Sequence, residues 1–341
     1  MSQIIPKKPL SVESNWQKEL ATAFTDPVSL LNYLNLPVDN FTKDIAARQL
    51  FPMRVPRPFA NRMKKGDALD PLFLQIFTSK HEFNTSAGYS TDPLDEQNNN
   101  QPGILHKYQN RLLLLVRGGC AVNCRYCFRR HFPYSDNHLN KHQWQEALQY
   151  IADNPQINEV IYSGGDPLMA KDDFLAWLTQ EIEKIPHVIR LRIHTRLPVV
   201  IPSRITPELI SWFSESRLKP VMVVHVNHAN EIDNHLAEAV KKLTKAGVTV
   251  LNQSVLLKNV NHLAEHQIEL CEKLFEIGVM PYYLHVLDKV EGAEHFDLPD
   301  SQATALLKEM IKHLPGYLVP KLVREIGGQP GKTPLDLNLH P

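Results

Sequence analysis

The sequence predicts an α/β fold: an incomplete parallel (β/α) barrel preceded by a mostly helical N-terminal region. Three observations lead there. Beyond about residue 110, six short apolar runs alternate with amphipathic stretches, which is the rhythm of an α/β chain. Those runs are apolar along their length, as strands buried on both faces of a parallel sheet are. No Gly-x-Gly occurs anywhere in the chain, so the fingerprint of a dinucleotide-binding sheet is missing and a barrel fits better.

Residues 1–105 are rich in Pro, Asn and Asp. Within them NWQKELATAF and PVSLLNYLNL carry helical spacing, and TDPLDEQNNNQPG (91–103) reads as a loop or linker. The barrel is expected over 106–300, with strands at 112–116, 159–163, 189–194, 221–226, 248–255 and 281–286. Helices are expected between them at HQWQEALQYIA, DDFLAWLTQEIEKI, TPELISWFSES, NEIDNHLAEAVKKLTKAG and HLAEHQIELCEKLFEIG, each with apolar residues three to four apart. The glycines of KAG and EIG mark helix ends. Residues 301–341 form a C-terminal segment. No repeat of 20–50 residues is evident.

In a parallel barrel the chemistry gathers at the C-terminal ends of the strands. Polar residues follow the expected strands in that way: RGGCAVNCRYC the first, SGGDP the second, HTR the third, HVNH the fourth, NQS the fifth and HVLD the sixth.

Composition excludes several classes. Lys+Arg and Asp+Glu balance at 37 each, which gives no support for nucleic-acid binding through a basic excess. No run approaches the roughly 18 apolar residues of a membrane span, and the N-terminus lacks a secretory pattern; a cytoplasmic protein is expected. Four cysteines in 341 residues are no disulfide framework.

Three of those cysteines form Cys120-Ala-Val-Asn-Cys124-Arg-Tyr-Cys127, a C-x3-C-x2-C spacing on one tight loop. Thiolates select iron–sulfur clusters, zinc or Cu(I). The alternatives are zinc with His131 as fourth ligand, or three unrelated structural cysteines. Three ligands leave one iron of a [4Fe–4S] cluster open, where four are usual. The loop resembles the cluster motif of the radical S-adenosylmethionine (SAM) enzymes, in which the open iron chelates SAM. Ser163-Gly164-Gly165-Asp166-Pro resembles the loop holding the SAM amino group in that superfamily, with Asp166 as an acceptor for an ammonium. An ordinary Gly-rich turn is the plain alternative.

Near the other end stands Gly327-Gly-Gln-Pro-Gly331-Lys332-Thr333-Pro334. A P-loop would need Gly at 326, which is Ile326. Lys332 reads either as a solvated loop lysine or as a Schiff-base lysine, whose usual aldehyde partner is pyridoxal 5′-phosphate (PLP). Lys107, Tyr108 and Arg111 would then serve the phosphate.

Taken in order, HKYQNRLLLLVRGGCAVNCRYCFRR, SGGDPL, RIHTRLPVVIPSRIT, HVNHANEI, NQSVLLKNVN and GGQPGKTP resemble the lysine 2,3-aminomutase family. The closest likeness is to the branch acting on elongation factor P. The resemblance implies an incomplete (β/α)6 radical SAM barrel, an isomerase, and three cofactors: a [4Fe–4S] cluster on Cys120, Cys124 and Cys127, SAM, and PLP on Lys332. It implies Arg129 for the substrate α-carboxylate, Asp288 and Glu325 for its distal ammonium, and His225 and Gln253 as cofactor contacts. Glu325 stands where the free-lysine enzymes have Asp, so the distal pocket is expected to differ. The chain ends at Pro341 with no cysteine after Cys271, so the zinc-binding tail and tetramer of the free-lysine enzymes are not expected. A monomer or small homo-oligomer is. The implied partners are lysine, free or as a lysyl group on elongation factor P, and an electron donor. Nucleic acid and membrane are not expected as partners. The competing readings are a radical SAM enzyme without PLP, and a zinc-stabilised module docking on a translation factor.

Overall fold

The computed structural model describes residues 15–97, 101–135, 137 and 139–337. One sheet organises them: β1 (Ile104–Tyr108), β2 (Arg111–Arg117), β3 (Glu159–Gly164), β4 (Arg190–Thr195), β5 (Lys219–Val224), β6 (Thr249–Val255), β7 (Met280–His285), β8 (Lys321–Arg324) and β9 (Thr333–Pro334). The strands lie side by side in chain order. From β2 to β8 every pairing is parallel, while β1 and β9 pair antiparallel at the two edges. The sheet is therefore an open, incomplete barrel, as expected.

The six expected strands are β2 to β7, displaced by two residues or fewer. β1, β8 and β9 were not foreseen. β1 reads ILHKY and leaves its second half partly exposed, so its sequence lacks the apolar run of a buried strand. β8 and β9 have four and two residues, too few to establish a period.

The helices over Lys141–Ala152, Asp172–Glu183, Pro207–Ser214, Asn234–Lys245 and Ala264–Glu276 form where their patterns place them. Side chains start several of them. Asn140 and Gln143 exchange a capping box, Thr206 accepts from the Leu209 N–H, and Asp233 accepts from the Leu236 N–H, closing donors that the first helical turn leaves open. A further helix, Asp300–His313, buries Leu306, Leu307 and Met310 with Leu284 and Leu322 of β7 and β8. It covers the last parallel crossover.

The N-terminal region shares the main core: Trp16, Leu30, Phe59 and Phe73 pack in one cluster with Leu175, Val200 and Leu236. Buried Glu82 pairs with Arg125 and, at 2.6 Å, with Arg130, so this region also grips the loop after β2. Among the described residues no helix is long and apolar enough to cross a membrane.

Candidate active site

The loops at the C-terminal ends of the strands enclose a cavity of about 580 Å³. The residues singled out for cofactors and substrate line it: Cys120, Cys124 and Cys127 after β2; Arg129; Ser163, Gly164, Gly165 and Asp166 around the end of β3; His225 after β5; Gln253 in β6; Asp288 after β7; Glu325 after β8; Lys332 before β9; and Lys107, Tyr108 and Arg111 in β1 and β2. Residues more than 200 positions apart meet because parallel crossovers return every strand with the same end facing the same rim.

The cysteine loop is fastened from below. Arg125, fully buried, spends its guanidinium on Glu82 and on the Phe51 carbonyl (2.9 Å). Its backbone N–H donates to the Gln75 carbonyl at 2.9 Å. All three cysteines are free. Burial and the neighbouring Cys124 push Cys127 up to about 11, and burial with the other sulfurs raises Cys120 well above the ordinary thiol range. Thiols in that position stay protonated until a metal takes the proton's place.

Thiolates select iron–sulfur clusters, zinc or Cu(I), and three of them line this one cavity. His131 does not line the cavity, and its ring faces the Glu291 carbonyl at 3.4 Å. The donor set fits an iron–sulfur centre.

The SGGD loop is stitched to the cysteine loop. The Gly165 N–H donates to the Arg117 carbonyl (2.6 Å) and the Asp166 N–H to the Gly119 carbonyl (3.0 Å). Gly164 has φ +122°, and a Cβ there would lie 2.3 Å from the Arg117 carbonyl oxygen. Only glycine permits that approach. The Asp166 side chain has partners of its own within the protein. Its two oxygens accept from the Leu168, Arg196 and Leu197 N–H groups and the Thr195 hydroxyl, at 2.7–3.0 Å. A carboxylate so engaged clasps the β3 and β4 loops together.

Arg129 and Lys332 each meet an internal carboxylate. Arg129 forms a two-point pair with Glu96, at 2.6 Å and 3.0 Å, and donates to Ser163 and to the Gly164 carbonyl. Glu96 also takes Lys107 at 2.9 Å. Lys332 pairs with Glu325, whose other oxygen accepts from Tyr108 at 2.6 Å. Burial works upward on Glu325, yet Lys332, Tyr108 and Lys107 hold it down at about 2. Asp288 is the opposite case, raised to about 7 chiefly by burial, against the pull of Lys332. Arg111 stacks on Tyr108, its guanidinium carbon 4.0 Å from the ring centre.

Sequence reasoning missed Glu96 and the group behind Cys124: Arg196, Tyr126, Gln75, Asn227 and Glu231, all buried. Arg196 does follow β4 in the HTR run, a position that signalled a site without a role. Gln75 and Glu96 carry no comparable signal.

These features define a radical SAM site. The family model described as the Radical SAM superfamily matches residues 114–279. Over 333 residues the chain is 57% identical to an L-lysine 2,3-aminomutase of Haemophilus influenzae, covering 97% of this chain and 98% of that protein. Its counterpart in Escherichia coli is 56% identical over 326 residues, 95% of each chain. The Clostridium subterminale protein of the same name is 37% identical over 83% of this chain and 68% of its own length. A solved structure titled "Native anSMEcpe with bound AdoMet" aligns at a TM-score of 0.44 and 16% identity over 59% of each chain, a likeness that adds nothing to the assignment. The chain belongs to the lysine 2,3-aminomutase family, isomerases that use a [4Fe–4S] cluster, SAM and PLP. Membership sets aside the docking module that the cysteines alone left open.

Proposed function

We propose that this chain converts α-lysine to β-lysine by moving the amino group from C2 to C3, and that the product serves the modification of elongation factor P in the cytoplasm. The substrate is lysine, free or carried as a lysyl group on that factor. One hydrogen returns from C3 to C2, so the reaction is redox-neutral overall. The observation that carries the reading is the meeting of three free cysteines, Lys332 and two distal acids around one cavity.

When bound, the cluster with SAM supplies a hydrogen-abstracting radical, and PLP supplies the conjugation that lets nitrogen migrate. The chain's own residues position these groups. Cys120, Cys124 and Cys127 hold the cluster, with the Ser163–Gly165 backbone, His225 and Gln253 beside SAM. Lys332 holds PLP, with Lys107, Tyr108 and Arg111 toward its phosphate. Arg129, once its pair with Glu96 opens, orients the substrate carboxylate by its planar fork. Asp288, once a cation enters beside it, ionises and fixes the distal ammonium with Glu325.

The test is an anaerobic assay with SAM, PLP and a reductant, comparing free lysine with lysyl-modified elongation factor P. β-Lysine is expected, and its absence from both substrates in fully loaded protein removes the proposal. Lys332→Ala is expected to abolish the PLP absorbance band while leaving iron content unchanged; a variant with an unaltered band would show that another lysine carries PLP.

A further inference from the structure

We infer that Arg196 is a positioning residue for the iron–sulfur centre: its guanidinium grips the Cys124 sulfur and raises the reduction potential of the centre. The inference rests on the proposed role of Cys120, Cys124 and Cys127 as the cluster ligands. Arg196 Nη1 lies 2.7 Å from Cys124 Sγ. Among the described residues, no other cysteine of the loop has a guanidinium at that distance from its sulfur.

The guanidinium is not free to drift. Nη1 also meets the Tyr126 hydroxyl at 2.7 Å, and Nη2 meets Gln75 Oε1 at 2.7 Å and Glu231 Oε2 at 2.9 Å. The Arg196 backbone N–H is held by Asp166 at 2.8 Å. Glu231 is itself fully buried and takes the Asn227 and His228 N–H groups at 2.9 Å and 3.1 Å. Asn227 also donates to the Tyr126 hydroxyl at 2.7 Å. A surface ion pair needs no such frame, and a plain buried ion pair between Arg196 and Glu231 does not require a sulfur at its free end.

A charged N–H donor draws electron density from a ligating sulfur. The sulfur then donates less to its iron, and the extra electron of the reduced centre is better tolerated, so the potential rises. One electron passes from the external reductant to the centre. Arg196 keeps its protons and takes no electron.

The test uses the full chain with its cluster reconstituted, without SAM or PLP, and reads the midpoint potential by a redox titration followed with electron paramagnetic resonance. Arg196→Gln should hold the same iron and sulfide and titrate at a more negative potential. Arg196→Lys, which keeps the charge without the fork, should fall between it and the parent. A glutamine variant with a full cluster and the parent potential overturns the inference. If that variant takes up no iron, the lysine variant decides: a potential below the parent supports the inference and an equal one overturns it. If neither takes up iron while circular dichroism shows a folded chain, Arg196 serves assembly and not potential, and the inference fails. Parent protein that binds no iron sinks the cluster reading instead.

Discussion

Glu325 serves two partners at once, the Lys332 ammonium and the Tyr108 hydroxyl. For Lys332 to attack an aldehyde, that contact has to open. Glu325→Gln removes the charge holding it closed, so PLP should bind faster, read as the rise of its absorbance in stopped flow. The same change removes one of two acids proposed for the distal ammonium, so KM for lysine should rise about tenfold, equivalent to about 1.4 kcal/mol. Asp288 gives a pH signature. Its folded value, about 7, lies above the ordinary 3.8. The folded state therefore binds this proton more tightly. Its advantage is full below about pH 4 and is lost as pH rises toward about 7. Asp288→Asn should leave acid stability unchanged and stabilise the cofactor-free protein above pH 7. The side chain is partly open to the cavity, so the gain should be about 2 kcal/mol or less, read by thermal unfolding. The motifs around Lys332 and the cysteines were legible because they are local, and the residues do line one cavity. Glu96 was not legible, since its partners Arg129 and Lys107 meet it only through the fold.

Two loops, after β2 and after β3, make the cluster end of the cavity, and their closeness depends on one backbone position. Gly164→Ala places a methyl 2.3 Å from the Arg117 carbonyl oxygen at a φ of +122°. The loops must separate, and stability should fall by about 2 kcal/mol. Iron retention should fall with it. A variant with parent melting temperature and iron content would show that the two loops are not coupled through this contact. The positions of these loops were readable because continuous apolar runs located β2 and β3 and the cysteines and glycines followed directly. The clasp that Asp166 makes on the β4 turn was not, because Thr195, Arg196 and Leu197 reach it only through the fold.

At the scale of the molecule, the N-terminal region is the base on which the cysteine loop rests. Glu82, from the 3-10 turn Lys80–Phe83, pairs with both Arg125 and Arg130 in a buried setting. Removing one member of such a group strands the other charges, at a cost of about 3–5 kcal/mol. Glu82→Gln should lower the melting temperature sharply and reduce cluster uptake, while the chain still unfolds in one transition, because one core spans both regions. Two separated transitions in calorimetry would contradict that shared core. The six inner strands and their helices were legible as repeated apolar runs. The edges β1, β8 and β9 were not, because short strands hold their place through neighbours and carry little pattern of their own.

The sequence by itself determined the class of fold, the cysteine loop, the candidate PLP lysine and the likeness to one family, because period, spacing and turn chemistry are local properties that neighbouring residues carry together. The tertiary structure alone decided which charges meet. Glu96 with Arg129, Glu325 with Lys332, and Arg196 with Cys124 are pairs that exist only after parallel crossovers bring distant loops to one rim, where burial makes each charge seek the partner that geometry supplies.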